Sequence, residues 1–139
     1  MEKVEKENKE LLLKDLCARL SYGVICHTPK GDGHLCSIIQ TIFGIEYGVN
    51  IKAIERDYFN DYFNDKEVCI KPYLRQMSSM TYEEKVEYLN ICGNEMENPL
   101  SSPRYNGIDY LNSIHVDYRG LIPKGLAIEV IESNNPYKD

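Results

Sequence analysis

The chain has 139 residues, 42% hydrophobic and 27% charged, which suits one folded domain with a buried core and excludes a wholly disordered polymer. Sixteen lysines and arginines against 22 acidic residues leave a formal charge of -6. That balance excludes a general binder of nucleic-acid backbones, which needs a clustered basic surface, and leaves room for a small basic pocket.

Residues 1 to 10 alternate Glu and Lys and lack the apolar core of a secretory signal. No apolar run approaches the roughly 18 residues of a membrane-spanning helix. Five cysteines, Cys17, Cys26, Cys36, Cys69 and Cys92, form an odd set without a CxxC pair. They fit a reducing compartment in which all five stay thiols. The expectation is a cytoplasmic protein without a membrane segment, a metal or a cofactor.

In chain order, residues 3 to 20 predict a helix with Leu13, Cys17 and Leu20 at i, i+4 and i+7, widened by Leu12 and Leu16, and with residues 1–10 prone to fray. Tyr22 to Thr28 and His34 to Phe43 read as two strands joined by the turn formers Pro29 to Gly33. Val49 to Ile54 alternates as a third strand, preceded by bends at Gly44 and Gly48. Asp57-Tyr58-Phe59-Asn60 is repeated at once as Asp61-Tyr62-Phe63-Asn64 and followed by Asp65. Two copies are too few for a solenoid, and the four-residue spacing suggests a short amphipathic helix or an aromatic connector.

Val68 to Leu74 alternates again, with Val68, Ile70 and Leu74 on one side and Lys71, Tyr73 and Arg75 on the other, and Pro72 directs this strand to a sheet edge. Thr81-Tyr82-Glu83-Glu84 is a capping box that starts a helix running to about Cys92, with Tyr82, Val86 and Leu89 as its apolar stripe and Gly93 as its stop. Asn94 to Asn106 reads as a surface loop, Ile108 to Ile114 as a short helix, Leu126 to Ile131 as a last strand, and residues 133–139 as a loose tail. The sum is a single α+β domain over residues 1–139: a small antiparallel β-barrel or roll of four to five strands, flanked by an N-terminal helix and one or two C-terminal helices.

Several stretches resemble small uncharacterised proteins of phages and prophages of Bacteroides-type bacteria. They are Lys71-Pro72-Tyr73-Leu74-Arg75 with Met77-Ser78-Ser79-Met80-Thr81, Asp117 to Ile122 with Lys124 to Ala127, and Asp15 to Leu20 before Tyr22-Gly23-Val24. Residues 26 to 67 share no such pattern. The resemblance brings no catalytic residue with it and implies a setting, a phage accessory protein in a bacterial cytoplasm.

Four Cys/His residues flank the hairpin loop: Cys26, His27, His34 and Cys36. With a loop over Thr28 to Gly33, His27 pairs with His34 and Cys26 points to the opposite face, so a tetrahedral zinc site does not assemble. Lys30-Gly31-Asp32-Gly33 lacks the spacing of a phosphate-cradling loop, and Asp57, Asp61 and Asp65 lack the pattern of a calcium loop. His115, Asp117 and Arg119 alternate as an acid/base trio would, yet no nucleophile accompanies them.

The strand face with Lys71, Tyr73 and Arg75 is the expected ligand site, with Arg119 as a neighbour: cations for phosphate and a ring for a base. The function this suggests is a non-catalytic phage binding protein, acting in counter-defence by sequestering a nucleotide-derived immune signal. The partner would be a small anionic ligand, with a homo-oligomer seam along the edge strand. Two alternatives stand beside it. One is a phosphoester hydrolase using His27, His34 or His115, and the other a protein-interaction or virion-assembly module using the aromatics from Tyr58 to Phe63.

Overall fold

A computed structural model of the chain describes residues 2–52, 55–62, 67–97 and 104–138. Helix α1 spans Glu2–Arg19, a run of Glu, Lys and Leu without glycine or proline. It passes into a 3-10 turn over Leu20–Tyr22 and stops at Gly23, whose φ of 72° lies in the left-handed region that glycine enters without strain. Strands β1, Ile25–Thr28, and β2, Gly31–Gln40, form a hairpin. β3, Gly44–Lys52, and β4, Glu55–Tyr62, continue the meander. β5 covers Lys71–Leu74, α2 Tyr82–Glu97, α3 Arg104–Ser113 and β6 Ile128–Glu129.

The fold is α+β, and its six strands form one mixed sheet in the order β4-β3-β2-β1-β5-β6, antiparallel except for the β5–β6 pair. The sheet is open, with β4 and β6 at its two edges, so the expected closed barrel does not form. Closure would require β4 to pair with β6, and β6 offers only Ile128 and Glu129 as a seam. One face of the sheet packs on α1: Leu12 and Leu16 are fully buried in a cluster with Val24, Tyr47, Val49 and Leu74. A second cluster of Met80, Leu111 and Val116 joins the region of α2 and α3.

The turn between β1 and β2 is only Pro29-Lys30, shorter than the five-residue loop the sequence suggested. Thr28 Oγ1 fixes it by donating to the Gly31 carbonyl at 2.6 Å and accepting from the Lys30 amide at 3.1 Å. The shorter turn resets the register: His27 pairs with Asp32, and His34 with Ile25. The duplicated DYFN segment enters a strand instead of a helix, because a period of four is also two full strand repeats. Asp57 and Phe59 lie opposite Val49 and Tyr47, while Tyr58 and Tyr62 remain about half exposed. Phe63, Asn64 and Asp65 lie outside the described residues.

Pro72 does not mark an edge, since β5 lies between β1 and β6, and the oligomer seam expected there is an internal strand. The capping box at Thr81 forms in both directions, the Thr81 amide donating to Glu84 Oε1 at 2.8 Å and the Glu84 amide to Thr81 Oγ1 at 3.1 Å. The stripe of Tyr82, Val86 and Leu89 faces solvent, and Tyr88 joins the packed cluster instead. Helix α2 runs on to Glu97 and α3 begins at Arg104, so helices occupy the two ends of the stretch expected as a loop. Among the described residues, no helix is long and apolar enough to cross a membrane.

Candidate functional site

Side chains alternate across a strand, so the face of the sheet opposite α1 receives His27 from β1, Asp32 and His34 from β2, and Lys71 and Tyr73 from β5. The registers His27 to Asp32 and His27 to Lys71 set these three residues side by side across three adjacent strands. His27 Nδ1 lies 2.8 Å from Asp32 Oδ1, and the two side chains are 53% and 43% exposed. A carboxylate only accepts, so Nδ1 donates to Asp32 and Nε2 is the ring nitrogen left on the other side.

Tyr73 donates its hydroxyl to the second oxygen, Asp32 Oδ2, at 3.0 Å. Burial, with the Asp32 hydrogen bond and charge behind it, pushes that hydroxyl's pKa up, so Tyr73 remains a donor. Its ring meets the His27 ring edge-on with centroids 6.4 Å apart. The residue is only 8% exposed, which leaves no open ring face of the kind a stacked base requires.

One row further along, Tyr137 from the polar tail fastens β1 to β5. Its hydroxyl accepts from the Ile25 amide at 2.9 Å and donates to the Tyr73 carbonyl at 2.8 Å. The Tyr137 ring stacks on His115 at 3.8 Å. His115 sits in the left-handed region at φ 62°, and burial, followed by the charges of Arg19 and Arg75, lowers its pKa to about 4. It is therefore neutral at ordinary pH.

Lys71 also borders a cavity of about 290 Å³, together with Glu5 and Asn8 of α1, Glu67, Val68 and Leu126. Glu5 Oε2 is buried there without a hydrogen-bond partner among the described residues. Glu5 and Glu67 make the lining mainly acidic, and Lys71 is its one cation among the described residues.

The other two expected cations serve different ends. Arg75 forks onto Glu84 at 2.8 and 2.7 Å and donates to the Ser79 carbonyl at 3.0 Å. That bidentate pair holds the Glu84 carboxyl at about 2. Arg119 Nε lies 3.2 Å from Asp15 Oδ1, and its guanidinium is 4.9 Å from the Tyr118 ring centre. The structure thus brings Lys71 and Tyr73 together with His27 and Asp32, and places Arg75 and Arg119 in ion pairs of their own.

The His115, Asp117 and Arg119 trio does not assemble. Asp117 accepts from the amides of Gly120, Leu121 and Ile122 at 2.9 to 3.0 Å, closing a turn. Cys26 faces the core, where burial drives its thiol far above the usual range, so it does not join His27 and His34. No group of three or more metal-ligating side chains occurs among the described residues. The partner missed from the sequence is Asp32. Its signal was present in Pro29-Lys30-Gly31, a turn tight enough to set Asp32 opposite His27.

No protein-family model matches the chain, and no curated protein or solved structure matches it.

Proposed function

We propose that the chain is a phage accessory protein of the bacterial cytoplasm that binds a small nucleotide-derived anion, in the manner of a counter-defence factor removing an immune signal. The observation that carries the reading is the double position of Lys71, at one end of the Asp32-His27-Lys71 row and on the wall of the cavity. An amino-bearing base suits the acidic side, where Glu5 Oε2 awaits a donor, and a phosphate suits Lys71 on the other. In a chain of charge -6, such a local cation selects a compact anion that the rest of the surface repels. Tyr73 contributes by holding Asp32, while Arg75 and Arg119 support the scaffold around it.

Calorimetry against a panel of linear and cyclic nucleotides tests the reading. The expected result is binding that Lys71→Ala abolishes and Glu5→Gln weakens for bases with an exocyclic amine. If the unmutated chain binds none of the panel, the proposal fails, and if Lys71→Ala binds equally well, the site lies elsewhere.

A further inference from the structure

The row on the outer face contains more than binding requires. An anion site needs only Lys71. It does not need an imidazole whose Nδ1 is held at 2.8 Å by a carboxylate, nor that carboxylate held in turn at 3.0 Å by a buried tyrosine hydroxyl. A half-exposed surface His–Asp pair is ordinarily mobile, because both side chains lose rotamer freedom to keep it. Here Tyr73 is 8% exposed, its ring meets His27 edge-on, and Tyr137 anchors its carbonyl, so the buried Tyr73 ties the more exposed Asp32 and His27 to the sheet. That is the support a proton-transferring imidazole requires: fixed tautomer, fixed ring plane and an accessible Nε2.

From this geometry we infer that His27 is a general base acting on a ribonucleotide phosphodiester seated at Lys71, so that the bound ligand is cleaved as well as held. The inference rests on the binding reading above. The reaction class follows from the groups present. The row has a base and a cation and no side-chain nucleophile, so the attacking oxygen belongs to water or to the substrate, and a ribose 2′-hydroxyl beside a phosphodiester is the one already held next to phosphorus.

In the step, His27 Nε2 takes the 2′-hydroxyl proton as the O2′–P bond forms. The P–O5′ bond breaks, and the departing O5′ receives a proton from the ammonium of Lys71, the residue paired in register with His27 on the adjacent strand. The products are a 2′,3′-cyclic phosphate and a free 5′-hydroxyl. Solvent then returns the proton from imidazolium to amine, and no oxidant, reductant or further reactant enters. Asp32 and Tyr73 are positioning residues that keep Nδ1 protonated and the ring aimed.

The test incubates the full chain with ribodinucleoside monophosphates and with their 2′-deoxy counterparts, following products by mass spectrometry and binding by calorimetry. The expected result is that both series bind and only the ribo series yields a cyclic phosphate. His27→Ala should retain binding within about threefold and lose at least about 100-fold in rate, the lower end for a general base. Added imidazole should restore part of that rate, an effect that a structural role would not give. Asp32→Asn and Tyr73→Phe should lower kcat with little change in affinity. His27→Gln, prepared in the same way, shows whether loss of rate reflects loss of fold. Binding of both series without a cyclic product overturns the inference and leaves the binding reading intact, whereas binding of neither overturns both. Equal turnover by His27→Ala or His27→Gln removes the role assigned to His27.

Discussion

Lys71 and Arg75 lie four residues apart along one strand direction, and their surroundings differ in almost every respect. Arg75, just past the end of β5, meets Glu84 of α2 and the Ser79 carbonyl. Its backbone also pairs with the segment after α3, the Arg75 amide donating to the His115 carbonyl and the Asp117 amide to the Arg75 carbonyl, both at 2.8 Å. Lys71, at the start of the same strand, faces a histidine and a cavity. The difference teaches that a cation's role here depends on which elements close over it. Two helices and a turn convert one end of β5 into scaffold, while the other end is left beside open space.

The scaffold end extends to α1, where Asp15 and Arg19 are both fully buried and joined at 2.8 Å, and where Arg19 Nη2 also donates to the Val116 carbonyl at 2.7 Å. Asp15→Ala leaves a buried guanidinium without its counter-charge. It should cost about 3 to 5 kcal/mol, the largest effect in the molecule, read by denaturant unfolding. A loss below about 1 kcal/mol would mean that this region is not scaffold and the comparison fails.

Tyr137→Phe comes next. It removes a hydroxyl that satisfies the Ile25 amide and the Tyr73 carbonyl, at an expected cost of about 1 to 3 kcal/mol. The same corner sets an acid limit. His115 has its folded pKa lowered from 6.5 to about 4, so the unfolded chain takes up the proton first. Stability is complete above about 6.5 and declines as pH falls toward 4. Glu84, lowered from 4.5 to about 2, adds a loss over the window below 4.5. Melting temperatures across pH 3 to 7 should therefore fall in two overlapping stages. His115→Phe should remove the upper one, and a profile unchanged by that substitution would refute the assignment.

Thr81→Ala should cost about 1 kcal/mol through loss of the reciprocal cap, and an unchanged melting temperature would count against it. The smallest effect belongs to the other end of β5: Lys71→Ala should alter stability by less than about 0.5 kcal/mol while abolishing nucleotide binding. A large loss of stability there would place Lys71 with Arg75 in the scaffold and erase the contrast.

Local chemistry was legible where neighbours in the chain decide the outcome. The N-terminal helix follows from its run of good helix formers. The capping box at Thr81 needs only residues three apart, and the alternation that puts Lys71 and Tyr73 on the face opposite Leu74 is a property of any strand. The first hairpin was legible too, because the turn formers Pro29 to Gly33 separate two runs rich in β-branched and apolar residues.

Tertiary structure decided the rest, since each remaining feature joins residues far apart. Whether the sheet closed depended on the length of β6, a strand of two residues laid parallel to β5 after more than fifty intervening positions. Tyr73 became a buried donor only because Asp32, 41 residues away, reached it from β2. Arg119 found Asp15 of α1, and Tyr137 found the gap between β1 and β5. Residue type and spacing fix which groups a chain can offer, and long-range packing fixes which of them meet, because a buried charge or hydroxyl takes whichever partner the fold brings within hydrogen-bonding distance.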